Sequence, residues 1–141
     1  MSSFKRIDDE FFIGPQPTDE DLAAAKQRGI KTVIDFRLPH EMATSNAALT
    51  ASQGLAYVNI PTNKAALSTD QIDDLDRAIK DHAGPFLLHC ATGARAALLL
   101  SLRKAKQHGW ATEQTFCEAK RLGFDLKTSA EFSDFITKTV T

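Results

Sequence analysis

Three short apolar runs, residues 30–36 (IKTVIDF), 55–60 (LAYVNI) and 86–89 (FLLH), are separated by stretches of helical period, and this alternation constrains the fold more than any other feature. A strand, a helix-length connection and a second strand pair most simply as a parallel unit with the helix laid on the sheet. The chain therefore reads as an α/β fold with a mostly parallel central sheet. Ahead of the first run, residues 4–8 and 11–13 form a hairpin around Asp8 and Asp9, closed by Gly14-Pro15-Gln16-Pro17. Thr18 with Asp21, and Ser68 with Gln71, have the spacing that caps a helix, and Gly29 and Gly84-Pro85 end the helices so begun. Further helices are expected at about residues 47–53, 95–108, 112–122 and 129–139, with a loop over 38–43. At 141 residues and 43% hydrophobic, the whole of 1–141 is expected to be one domain around one core.

Charge and composition exclude several functions. Seventeen Lys and Arg oppose eighteen Asp and Glu, so no global positive field draws nucleic acid or an anionic membrane. Cys90 and Cys117 are too few for a disulfide scaffold and share no ligand spacing with the four histidines; no metal and no cofactor are expected. Residues 1–6 lack a signal-length apolar stretch, and the longest apolar run, 96–100, is too short to span a bilayer, so the expected location is cytoplasmic. Nothing in the sequence specifies an oligomeric state.

Chemistry concentrates in one segment, Phe86-Leu87-Leu88-His89-Cys90-Ala91-Thr92-Gly93-Ala94-Arg95, where an apolar strand delivers a cysteine into a turn that opens a helix. At the carboxyl edge of a parallel sheet, such a turn points backbone N–H groups inward over the positive end of a helix, which makes an anion site. The same field, with Arg95 close by, favours thiolate over thiol and is expected to draw Cys90 from about 8.5 toward the roughly 3.5–7.5 range of activated cysteines. Cys90 is then a nucleophile at neutral pH. Arg95 offers a planar fork of donors to a tetrahedral oxyanion, and Gly93 lets the backbone turn. Ala91, Thr92, Gly93 and Ala94 complete the anion-binding loop. His89 precedes the nucleophile, and on a strand its side chain points away from that of Cys90. It is therefore not expected to act as a base.

Three segments together, Phe11-Phe12-Ile13-Gly14-Pro15-Gln16-Pro17, Gly29-Ile30-Lys31-Thr32-Val33-Ile34-Asp35-Phe36-Arg37 and His89-Cys90 through Arg95, resemble the bacterial phosphatase-like domain of β-lactamase-hydrolase-like proteins (the DUF442 family), over residues 11–126. That family is similar in fold to the dual-specificity and tyrosine phosphatases. The resemblance implies a three-layer fold with a four- or five-strand sheet and helices on both sides. It also implies attack of Cys90 on phosphorus, oxygens held by the loop amides and Arg95, a loop oriented by His89 from behind, and a cysteinyl-phosphate that water hydrolyses.

Three features depart from that pattern. Four residues rather than five separate Cys90 from Arg95, Ala96 stands where a Ser or Thr follows the arginine, and the segment Thr62-Asn63-Lys64-Ala65-Ala66-Leu67 has no carboxylate to serve as general acid. Asp35, at the end of its strand, is the substitute acid expected first, and Asp70 the second. A loop of the shorter size also occurs in rhodanese-type sulfurtransferases, so sulfur transfer through a Cys90 persulfide stands beside phosphomonoester hydrolysis. A non-catalytic anion-binding module is the third alternative. Either enzymatic reading implies an anionic substrate, a phosphoester or a sulfane-sulfur donor. Arg37 could guide such a substrate or pair with a neighbouring carboxylate, Gln16 is placed near the site, and Cys117, Trp110 and Phe124 are expected in the core.

Overall fold

The computed structural model describes residues 4–41 and 46–140. Five strands, β1 (Lys5–Arg6), β2 (Phe11–Gly14), β3 (Thr32–Asp35), β4 (Ala56–Asn59) and β5 (Phe86–His89), form one sheet in the order β1-β2-β5-β3-β4. Only β1 runs antiparallel, and its hairpin with β2 is fixed by Asp8, whose Oδ1 accepts the N–H groups of Glu10 and Phe11. The other pairings are parallel, as the alternation of strands and helices predicts. Their register sets Asp35 beside both His89 and Asn59, and His89 beside Gly14, so four strands end level at one carboxyl edge.

The helices are α1 (Asp19–Gln27), α2 (Asn46–Ser52), α3 (Thr69–Asp81), α4 (Ala94–His108), α5 (Thr112–Arg121) and α6 (Ala130–Val140). Thr18 and Ser68 cap α1 and α3 through reciprocal bonds with Asp21 and Gln71. A 3-10 turn, Pro39–Glu41, lies within the expected 38–43 loop, whose last two residues fall outside the described residues. The sheet separates two apolar clusters. Phe11, Ile13, Ile34, Phe86, Leu88 and Cys90 pack with α3 to α6, while Phe12, Val33 and Leu87 pack with Leu22 and Ala25 of α1. Alternation along each strand decides membership: residues 86 and 88 face one layer and 87 faces the other, because successive side chains on a strand project to opposite faces. Helix α4 runs through the larger cluster, with residues 96–100 all fully buried.

Two of the side chains expected inside lie elsewhere. Cys117 is exposed on the outer face of α5, where its neighbour Phe116 takes the buried position, and Trp110 is half-exposed against His108 just past the end of α4. Among the described residues, no helix is long and apolar enough to cross a membrane.

Candidate functional site

The turn from Cys90 to Arg95 sits at the carboxyl edge of the sheet, between the end of β5 and the first residues of α4. Cys90 is 1% exposed, and the Gly93 N–H donates to its Sγ at 3.0 Å. Gly93 has φ +103, and a Cβ there would lie 2.9 Å from Cζ of Phe124 and 3.3 Å from the Gly14 carbonyl oxygen. Backbone conformation and close packing therefore both require glycine at this point. The Ala94 N–H donates to the Thr92 hydroxyl, and the Gln16 N–H donates to the Ala91 carbonyl at 3.2 Å, so the Gly14-Pro15-Gln16-Pro17 segment braces the turn from the side. Gln16 is thus beside the site by its backbone. Phe124 is a partly buried ring against Gly93 and not an interior residue.

Arg95 projects from the first turn of α4 and is held along one edge of its guanidinium. Nη1 and Nη2 donate to the two carboxylate oxygens of Glu41, each at 2.7 Å, and Nη1 also donates to the Thr62 and Phe36 carbonyls at 2.9 and 3.4 Å. The guanidinium also interacts with the Cys90 side chain, which sets it beside the sulfur. The bonds from Arg95 hold the Glu41 carboxyl down at about 2, and Glu41 first, then the nearby Cys90 sulfur, raise Arg95 above its ordinary value against the effect of burial. Glu41 has no counterpart in the sequence reading. A carboxylate on the loop after β3 is the only local signal, because its partner is 54 residues away.

On the opposite face of the sheet lies a second ionic group. Asp35 and Arg37 are both fully buried, with Nε and Nη2 of Arg37 donating to the two Asp35 oxygens at 3.0 and 2.9 Å. The Tyr57 hydroxyl donates to Asp35 Oδ2 at 2.7 Å, and His89 Nδ1 stands 3.8 Å from Asp35 Oδ1 and 3.4 Å from the Cys90 carbonyl oxygen. Burial by itself would raise Asp35, but the Arg37 bonds, with His89 and Tyr57, outweigh it and leave the carboxyl below the usual carboxylate range. Burial pushes His89 down to about 4, so its imidazole is neutral at pH 7.

These placements change the reading of the acids. Asp35 shares a register position with His89, and so turns to the face away from Cys90. Its oxygens are committed as an anion, the opposite of what a proton donor needs. Asp70 is exposed at the start of α3, and its neighbour Thr69 lines a cleft with Gly109 and Trp110 at the far end of α4. The 15 residues of α4, at about 1.5 Å each, set that cleft roughly 20 Å from the Cys90 end of the helix. Arg37 pairs with Asp35 in the interior and does not reach toward a ligand at the edge.

A mostly parallel five-strand sheet, with this turn opening a central helix, is the architecture of the tyrosine-phosphatase-like proteins. Over 99% of both chains it resembles a candidate phosphatase of Neisseria meningitidis, with 23% identity and a TM-score of 0.81. It also resembles TpbA of P. aeruginosa, solved in complex with pTyr, at 15% identity and a TM-score of 0.75 over 98% of this chain and 90% of that one. The chain belongs to the family of the β-lactamase hydrolase-like protein, phosphatase-like domain, whose model matches residues 3–107. A curated relative, the β-lactamase hydrolase-like protein of Xylella fastidiosa, is 26% identical over 125 residues, which are 85% of this chain and 29% of the relative. The chain thus spans less than a third of the length of the curated relatives it matches.

Proposed function

We propose that this phosphatase-like domain hydrolyses phosphomonoesters through Cys90. The sulfur attacks phosphorus as the ester oxygen departs, giving a cysteinyl-phosphate, and water then attacks that phosphorus, releasing phosphate and returning the sulfur to the enzyme. The observation that carries this reading is the convergence on one turn of a backbone N–H already aimed at the sulfur and a guanidinium held by Glu41 beside that sulfur. Held so, Arg95 can take two phosphoryl oxygens side by side without reorganising, and donors fixed in advance are what stabilise charge developing in a transition state. Amides of Ala91 and Thr92 supply further donors, while that of Gly93 is on the sulfur and that of Ala94 on the Thr92 hydroxyl. The relative solved with pTyr supports an anionic phosphoester as substrate. Asp35, Arg37, Tyr57 and His89 are assigned to positioning: His89, neutral and wedged between Asp35 and the Cys90 carbonyl, fixes the backbone from which the sulfur projects.

Hydrolysis of p-nitrophenyl phosphate by the wild-type protein, its loss in Cys90→Ser, and a phosphoryl adduct on Cys90 after acid quench form the test. Absence of turnover and adduct together would overturn the reading. Sulfur transfer is the second reading, favoured by the short turn, in which only four residues separate Cys90 from Arg95. Thiosulfate with cyanide as acceptor separates the two, since thiocyanate formation without phosphate release would favour the persulfide route.

A further inference from the structure

Asp35 faces away from Cys90 and Asp70 lies at the far end of α4, so neither carboxylate expected from the sequence is set to hand a proton to a leaving oxygen. The fold brings another proton carrier to the site. His40 stands exposed on the 3-10 turn Pro39–Glu41 that follows β3. That turn is clamped to the catalytic edge. The Glu41 N–H donates to the Leu38 carbonyl at 3.0 Å, the Leu38 N–H donates to Glu41 Oε1 at 2.8 Å, and both Glu41 oxygens accept from Arg95, which lies beside the Cys90 sulfur. The imidazole thus hangs from the residue next to the one that fixes the arginine. The Arg95 bonds, then the Leu38 N–H and the charge of His40, hold the Glu41 carboxyl at about 2 against burial, which sets His40 within electrostatic reach of the Arg95–Glu41 pair.

The direction of attack favours a donor on the rim. Cys90 is 1% exposed, so its sulfur approaches phosphorus from inside, and in an in-line displacement the leaving oxygen points the opposite way, toward solvent. That outward side is where an exposed residue stands. Asp125, beside Phe124, is exposed too, but its carboxylate caps a short turn by accepting the Lys127 N–H at 3.3 Å, a task for the unprotonated form. Residues 42–45, Met-Ala-Thr-Ser, bring neither carboxylate nor imidazole. An imidazole is the commonest carrier in general acid–base catalysis, where a positioned donor contributes roughly 10²–10⁴-fold.

We infer that His40 is the catalytic residue that protonates the leaving oxygen. The inference deepens the hydrolase reading above and rests on it. In the first step the S–P bond forms as the P–O bond breaks, and the imidazolium of His40 passes its N–H proton to the departing oxygen, which leaves as a phenol or alcohol. In the second, the neutral imidazole takes a proton from the water that attacks phosphorus. The S–P bond then breaks, phosphate leaves, and the sulfur returns as thiolate with His40 again an imidazolium.

The test is kcat/KM of wild type, His40→Asn and Asp125→Asn for p-nitrophenyl phosphate, whose oxygen leaves without help, and for phenyl phosphate, whose oxygen needs a proton. His40→Asn should lose about 10²-fold with phenyl phosphate and no more than about threefold with p-nitrophenyl phosphate, and imidazole added to His40→Ala should restore part of the first loss. The ratio between the two substrates does not depend on the folded fraction. Asp125→Asn should match wild type on both. Equal losses on both substrates in His40→Asn, no loss on either, or a selective loss in Asp125→Asn would overturn the inference and leave the hydrolase reading intact. Wild-type protein that neither turns over p-nitrophenyl phosphate nor carries a phosphoryl adduct on Cys90 would defeat the hydrolase reading, and the inference with it.

Discussion

The molecule contains two arginine–carboxylate forks at the same sheet edge, and they are opposites. Arg37 and Asp35 are sealed on one face, 0% exposed at both ends, with the fork closed further by Tyr57. Arg95 and Glu41 lie at the other, 13% and 21% exposed, with the guanidinium beside the Cys90 sulfur. Chemically the pairs are alike. In the interior, a charge persists only because its partner is there, so the first fork is a structural joint. At the edge of the site the carboxylate acts as a clamp that aims a cation, so the second fork is suited to receive an anion.

Breaking the buried fork should have the largest effect. Asp35→Ala leaves Arg37 without its counter-charge and should lower stability by about 3–5 kcal/mol in chemical denaturation, a larger effect than the fall in turnover per folded molecule that follows from a less well held His89. Loss of turnover at unchanged stability would reverse the comparison. Breaking the open fork should do the converse: Arg95→Ala should reduce kcat/KM by roughly 10²–10³-fold, with Arg95→Lys recovering little because a point charge cannot present two parallel donors.

The third expectation sharpens the role of the buried side. In the unfolded chain His89 takes a proton as pH falls through its usual 6.5, in the folded protein only near 4. Between those values the unfolded state binds more protons. The contribution of His89 to stability is therefore full above about pH 6.5, declines as pH falls toward 4, and changes no further below; between pH 7 and pH 5 the loss is on the order of 2 kcal/mol. Urea titrations at the two pH values should show this difference in the wild type and a smaller one in His89→Gln. The smallest effect belongs to the clamp: Glu41→Gln keeps the shape but removes the charge, and kcat/KM should fall by about tenfold through a less well fixed Arg95. An increase instead would mean that Glu41 competes with the substrate for the guanidinium.

Much of the architecture was legible because its signals act over a few residues. Thr18 with Asp21, Ser68 with Gln71 and the run from Phe86 to His89 each specify their element locally, and the structure has all three. The same holds for the turn from Cys90 to Arg95, where strand, glycine and helix start adjoin in sequence. Parity along β5 likewise separated His89 from Cys90 before any pairing was known. Asp35 could not be placed that way, because its face depends on which strand it lies beside and in which register, a property of two segments 54 residues apart. Cys117 was misread for a related reason: a helix of mixed period has one buried stripe, and only packing against α4 and α6 selects it. What the sequence determined by itself was the set of elements and the chemistry of one loop, since caps, turns and periodicity are short-range. Which arginine is sealed and which stands open was decided only by tertiary structure, because burial and ion pairing are set by neighbours the chain brings together when it folds.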